Sequence, residues 1–217
     1  MADLFTPDSQ HGACEPQVED MGDGIFLIKQ FAPSEQCLNL IRQVSQAAPF
    51  RQMMTPMGYP TQASMSNCGD FGWVSDLSGY RYSPVDPITQ KPWPAMPDAF
   101  LRVHQSACEL LDLPKFQPDA CLINRYEIGH AMGRHTDKDE QDTSWPIVSV
   151  SLGLPAVFQV FKGQASTASI NVLLEDGDVL ILSGVSRQQH HAIKAVKPDL
   201  LQPNLTTRYN LTLRHSH

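Results

Sequence analysis

The sequence predicts a mostly β fold with flanking helices, a jelly roll or double-stranded β-helix, on three observations. From residue 120 onward, short β-rich runs succeed one another with turn residues between them: 120–126, 147–152, 156–161, 171–174, 179–182, 192–196 and 208–213. The last run alternates strictly, with Arg208, Asn210, Thr212 and Arg214 on one face and Tyr209, Leu211 and Leu213 on the other, as a strand between an apolar layer and a polar cavity would. Helical spacing is found in only two earlier stretches. Closing many short strands into two sheets brings residues far apart in the chain to one cavity.

Residues 1–23 read as a mobile, acidic lead-in containing Gly and Pro. They hold Asp3, Asp8, Glu15, Glu19, Asp20 and Asp23 and no Lys or Arg, so of the formal charge of -7 only -1 belongs to the remainder. Residues 24–217 are expected to form a single domain, since 217 residues with 41% hydrophobic content suit one sizeable core. Residues 24–28 read as a strand. Ser34 can cap a helix whose Cys37, Leu40, Ile41 and Val44 share one face. Residues 50–94 lose periodicity and are rich in Met, Gly, Pro, Tyr and Trp, which suggests a substrate-binding lid. A second helix is expected over 97–111, with His104 packed or at the surface, and residues 175–178 read as a hairpin turn.

No apolar run approaches the ~20 residues that span a bilayer, and the first residues lack the basic start and apolar run of a secretion signal. The five cysteines are odd in number and contain no Cys-x-x-Cys pair, against a disulfide framework or a zinc knuckle. A cytoplasmic setting follows, and neither Asn204-Leu205-Thr206 nor Asn210-Leu211-Thr212 would be glycosylated there.

The chemistry gathers around His135-Thr136-Asp137. In extended backbone the His and Asp point the same way and can offer one metal ion an imidazole nitrogen and a carboxylate oxygen. A third ligand is available from His190-His191, where neighbouring strand residues face opposite ways, so at most one points at the metal. Two histidines and a carboxylate on one face of Fe(II) leave positions open for dioxygen and a co-substrate, which suggests an oxygenase. The row Arg208, Asn210, Thr212, Arg214 is either a solvated strand face or a receptor for a dicarboxylate. Trp73, Tyr80 and Tyr82 are core aromatics or a platform for a flat base.

Together, His135-x-Asp137, His191, Asn124-Arg125-Tyr126 and Arg208-x-Asn210-x-Thr212-x-Arg214 resemble the AlkB family of Fe(II) and 2-oxoglutarate dependent nucleic-acid demethylases. Residues 64–69, 79–84, 91–97 and 151–156 match its bacterial members in the same order, and the similarity runs from about Phe50 to Arg214. The resemblance selects His191 over His190, although Ala192 stands where relatives commonly have glycine. It implies Fe(II) held by His135, Asp137 and His191. The carboxylates of 2-oxoglutarate would be held by Arg208 and Arg214 with help from Asn124, Tyr126 and Asn210. Trp73 and the run Tyr80-Arg81-Tyr82 would contact the base, and Asp139 would approach its nitrogens unless it is a solvated acid between Lys138 and Glu140. Where relatives can offer an arginine in the turn after strand 156–161, only Lys162 could substitute.

The implied activity is oxidative removal of N-methyl groups, with dioxygen as co-substrate and formaldehyde released. The implied substrate is alkylated single-stranded DNA or RNA, or a flipped base. The near-neutral remainder suits contact with a few nucleotides better than a long phosphate-tracking groove. A monomer is expected. Two rivals stand: a related oxygenase acting on a protein or small molecule, and a metal-free binding module, which would form no succinate.

Overall fold

The computed structural model describes residues 15–163 and 167–217. The expected lead-in therefore lies outside the described residues up to 14, and beyond that it is not featureless. β1 (Val18–Asp20) pairs antiparallel with β2 (Ile25–Ile28), because Gly22 and Gly24, both at positive φ, let the chain turn back on itself. In chain order there follow α1 (Ser34–Ala47), β3 (Arg51–Met54), β4 (Pro60–Gly69), β5 (Gly72–Asp76), β6 (Gly79–Ser83) and α2 (Asp98–Leu110). The second half runs β7 (Ala120–Glu127), β8 (Met132–His135), β9 (Ile147–Gly153), β10 (Ala156–Phe161), β11 (Ile170–Leu174), β12 (Val179–Leu182), β13 (His190–Ile193) and β14 (Thr207–Arg214).

Two facing sheets form the jelly roll. The large one has strand order β1-β2-β12-β9-β14-β7-β4-β3 and the small one β11-β10-β13-β8, while β5-β6 stands apart as a hairpin. The apolar stripes of α1 (Cys37, Ile41, Val44) and α2 (Phe100, Val103, Ala107) cover the outer face of the large sheet and meet Val148, Val150, Leu211 and Leu213 there. Between the sheets, Ile25, Leu27, Phe158, Val172, Leu174 and Leu180 make a second apolar layer. The core thus lies on both sides of the large sheet, and the inner side opens at one end into a cavity.

Three local expectations are corrected. Ser34 is the first helical residue rather than the cap; Pro33 precedes it, and the Ser34 hydroxyl bonds Asp176 Oδ1 at 2.5 Å. Residues 175–178 do not close a hairpin, because β11 pairs with β10 while β12 pairs with β2 and β9. The turn instead carries the chain from the small sheet to the large one, clamped by Asp178, which accepts from Lys29 Nζ (2.6 Å), Gln30 N (3.0 Å) and Glu175 N (2.8 Å). Third, the stretch 50–94 contains four strands, and β4 is paired along β7 inside the large sheet. Its alternation is hidden because it is buried on both faces and uses polar residues there. Ser66 donates to the Ala48 carbonyl at 2.5 Å, and Asn67 binds both the N–H and the carbonyl of Trp73 at 3.0 Å. Where β5 begins, Gly72 lets the Trp93 ring approach so closely that an added Cβ would lie 2.3 Å from it.

His104, on α2, is buried against Phe116 in an edge-on contact with ring centroids 4.4 Å apart. Burial lowers its pKa from 6.5 to about 4. The unfolded chain therefore takes up the proton first, so this contribution to stability is complete above about pH 6.5 and falls as the pH drops toward 4, by on the order of 3 kcal/mol. In urea unfolding from about pH 7 to about pH 4.5, His104→Phe is expected to lose about 2 kcal/mol less stability than the parent. Equal losses in both would refute the assignment.

Candidate active site

β8 and β13 are antiparallel neighbours in the small sheet, and their register sets His135 directly opposite His191. Asp137 follows in the loop after β8. One ligand atom from each of the three lies within 4.8 Å of the others. His135 sets Nδ1 2.8 Å from the Gly133 carbonyl, and His191 sets Nδ1 3.3 Å from the Gln189 carbonyl. A carbonyl can only accept, so Nδ1 carries the proton in both rings and Nε2 keeps its lone pair. Those Nε2 atoms face Asp137, at 3.8 Å from Oδ1 and 3.6 Å from Oδ2. Burial lowers the His191 pKa to about 4, which keeps that ring neutral and able to ligate at ordinary pH. Burial opposes ionisation of Asp137, but Arg214, the two histidines and Arg187 outweigh it and hold the carboxyl well below the usual carboxylate range. Two imidazoles and one carboxylate on one side of a point suit a ferrous ion with open positions. His190, by contrast, is exposed.

β14 runs between β7 and β9 and turns Arg208, Asn210, Thr212 and Arg214 into the same cavity, of about 740 Å³. Asn124 and Tyr126 join them from β7, opposite Asn210 and Arg208 in register. The solvated-face alternative for this row is excluded, since Arg208 is 0% exposed. Its hydrogen bonds go to neutral partners, the Leu154 carbonyl (3.3 Å) and the Ser151 hydroxyl (2.9 Å), and burial lowers its pKa to about 10. Arg214 donates to Asp137 Oδ2 at 2.7 Å and to the Tyr82 hydroxyl at 2.9 Å. Burial works against its charge, and Asp137, Tyr82 and Glu140 more than offset that.

The cavity rim comes from the β5-β6 hairpin. Trp73 donates its indole N–H to Asp139 Oδ2 at 2.8 Å, and Tyr80 stacks on it with ring centroids 5.5 Å apart. All three line the cavity. Asp139 is partly buried, and its carboxylate is engaged at that rim by the Trp73 indole. Two expected base contacts lie elsewhere. Arg81 is turned along the hairpin to pair with Asp76 at 2.7 Å, since the cross-strand carboxylate is nearer than the cavity. Tyr82 points to the back of the site, between Arg214 and Glu140. Lys162 pairs with Asp23 at 2.6 Å and does not line the cavity.

Glu140 and Arg187 were not anticipated. Both are buried and paired at 3.0 Å, and Arg187 also donates to the backbone carbonyl of Asp137 at 2.7 Å. Glu140 closes a run of charged residues that looks solvated, and no periodicity marks it. Asn67, which holds the backbone of Trp73, could have been suspected as a polar residue inside a β-rich stretch.

The residues present fit both a metal ion and an anionic co-substrate. Besides the three ligands, Arg208 Nε, Arg214 Nε and Asn124 Oδ1 are buried without hydrogen-bond partners. A buried guanidinium with neutral partners and an unused N–H is costly unless an anion completes it. His135, Asp137 and His191 can hold the ion, and Arg208, Arg214 and their polar neighbours can hold carboxylates beside it.

Comparison with known proteins agrees with this chemistry. Residues 24–214 match the 2OG-Fe(II) oxygenase superfamily, 2OG being 2-oxoglutarate, also called alpha-ketoglutarate. The chain is 44% identical over 218 residues to the alpha-ketoglutarate-dependent dioxygenase AlkB of Escherichia coli (strain K12), a match covering 100% of this chain and 98% of that protein. It is 38% identical over 114 residues, 48% of this chain and 26% of the relative, to the DNA N(6)-methyladenine demethylase ALKBH1D of Arabidopsis thaliana. Among solved structures, that of OsALKBH1 aligns with a TM-score of 0.78 at 27% identity, over 92% of this chain and 100% of that one. The chain belongs to the AlkB family of the 2OG-Fe(II) oxygenase superfamily, and is an Fe(II)- and 2-oxoglutarate-dependent dioxygenase.

Proposed function

We propose that this chain oxidatively removes N-linked methyl groups from bases in nucleic acid, consuming 2-oxoglutarate and dioxygen and releasing formaldehyde. The observation that carries this reading is one cavity lined by His135, Asp137 and His191, by the buried Arg208, and by Trp73 and Asp139 at the rim. In this reading Arg208 and Arg214 hold the two carboxylates of 2-oxoglutarate, and Asn124, Tyr126 and Asn210 complete its polar surroundings. Bound Fe(II) supplies activation of dioxygen. Trp73 offers its ring face to a flat base, and Asp139, fixed by the indole N–H, turns an acceptor toward the base edge. Arg81 and Tyr82 serve by bracing the hairpin and the back of the site rather than by touching the base.

The hairpin β5-β6 and the β3-β4 turn form the lid within residues 50–94, on a single domain, expected over 24–217, that β1 extends back to Val18. Met57 and Tyr59 at the turn are exposed, as are Leu77 and Tyr80 on the hairpin, which suits a surface that meets substrate. A methylated base reaches the cavity only outside the stack, so single strands and flipped nucleotides are favoured. The near-neutral charge of the chain beyond its first residues supports short contacts to DNA or RNA, and in this reading the chain acts as a monomer. No helix among the described residues is long and apolar enough to cross a membrane, consistent with cytoplasmic action.

Three variants test this reading. With Fe(II) and 2-oxoglutarate, the parent should release formaldehyde and succinate on a 1-methyladenine oligonucleotide and not on a methylated peptide, while Asp137→Ala releases neither. Equal activity in the variant would reject the site. Arg208→Met should leave the ligand-free protein at least as stable to heat, because it removes a buried charge with neutral partners. The same variant should weaken 2-oxoglutarate binding by about 3 kcal/mol, roughly a hundredfold, by calorimetry with Mn(II) present. Trp73→Ala should weaken oligonucleotide binding by about 1–3 kcal/mol, and unchanged affinity in a fluorescence titration would remove Trp73 from the base platform.

A further inference from the structure

Glu140 lies at the back of the site, 6% exposed, where two guanidiniums meet. Its Oε1 accepts from the Tyr82 hydroxyl at 2.9 Å and sits 3.4 Å from Arg214 Nη1. Its Oε2 is 3.0 Å from Arg187 Nη2. Each of those guanidiniums also reaches Asp137: Arg214 at the carboxylate (2.7 Å) and Arg187 at the backbone carbonyl (2.7 Å). Arg187 is anchored further by its Nε donating to the Trp145 carbonyl at 3.1 Å. The cluster therefore holds two buried cations and two buried anions, and only one of the anions faces the histidines.

The balance matters because Asp137 has two competing uses. Its carboxylate can be consumed by the guanidiniums, or its oxygens can stay directed toward His135 and His191. With the charge of Glu140 absent, Asp137 would be the one carboxylate left beside both Arg187 and Arg214, and the positive potential at the three-residue cluster would rise.

We propose that Glu140 is a positioning residue whose negative charge shares Arg187 and Arg214 with Asp137, keeping the Asp137 carboxylate available to a divalent metal and tying lid strand β6 to the same point through Tyr82. The proposal rests on reading His135, Asp137 and His191 as metal ligands. It assigns Glu140 no contact with metal or substrate.

Charge and shape can be separated at this position. Glu140→Gln keeps the volume and an acceptor for Tyr82 but removes the charge, whereas Glu140→Asp keeps the charge and shortens the side chain. The full chain and both variants are titrated with Co(II) by visible absorbance, without turnover. The parent should bind Co(II) and Asp137→Ala should not; a parent that fails to bind overturns the metal reading itself. Given parent binding, Glu140→Gln is expected to lose Co(II) affinity by about tenfold and Glu140→Asp to remain within about threefold. A merely structural role predicts the reverse order. Gln within about twofold of the parent, or Asp falling as far as Gln, overturns the proposal. Should Glu140→Gln fail to fold, Glu140→Asp decides alone: retained affinity supports a charge requirement, and a tenfold loss overturns it.

Discussion

The contact on which the rest of the site depends is the 2.7 Å bond from Arg214 to Asp137. Arg214 ends β14 in the large sheet, and Asp137 follows β8 in the small one, so this ion pair ties the two sheets together where the cavity opens. Both side chains are largely withdrawn from water. Such a pair is sustained only if further hydrogen bonds occupy the remaining donors and acceptors, and breaking it from one side costs about 3–5 kcal/mol. The Tyr82 hydroxyl accepts one of them from Arg214, Glu140 and Arg187 add opposite charges beside the pair, and Arg214 Nε is left for an incoming anion. The sheets also meet through Ile25, Leu27, Phe158 and Leu180, which need no such arrangement, and Phe158 continues this apolar layer up to the site, stacked on His191 with ring centroids 5.3 Å apart. The cavity thus has an apolar wall that holds the sheets together and a charged wall able to receive ions.

Register connects the stability of the core to the geometry of the site. β14 has one face on the helices through Leu211 and Leu213 and the other on the cavity through Arg208, Asn210, Thr212 and Arg214. A slip of one residue would drive the arginines into the helix-side core and the leucines into the cavity. The apolar packing that stabilises the fold is therefore also what aims the guanidiniums. The same holds for β8 and β13, where antiparallel pairing sets His135 against His191 although 56 residues separate them in the chain.

What was legible in the sequence follows from this. Strict alternation exposed β14, and β10 and β12 begin and end where the apolar runs do, because each has simple faces and clear turn residues at its ends. The His135-x-Asp137 spacing was readable because it is local. The pairing of His191 with it is not local, and in the sequence only resemblance to a known family selects it. β4 escaped notice because Ser64, Ser66 and Asn67 are buried polar residues whose partners, in β7, the Ala48 carbonyl and the Trp73 backbone, cannot be inferred from spacing. Glu140 and Arg187 were hidden for a related reason: a charged residue reads as solvated until its counter-ion is found, and here the two lie 47 positions apart. Arg81 shows the opposite error, a cation in a promising run that a nearer acid, Asp76, had already engaged.

The charge pattern also bears on how the cavity fills. Asp137 and Glu140 balance Arg187 and Arg214, which leaves Arg208 as a buried cation with neutral hydrogen-bond partners. A divalent metal arriving alone would add positive charge to a cavity that already has an excess. A dicarboxylate arriving alone would satisfy Arg208 but leave net negative charge in a place of low polarisability. Bound together they nearly cancel, so each should improve the site for the other, and such coupling is reciprocal by thermodynamic necessity. The neutral state of His191, imposed by its burial, contributes to the same end, since a protonated ring would oppose the metal and offer it no lone pair.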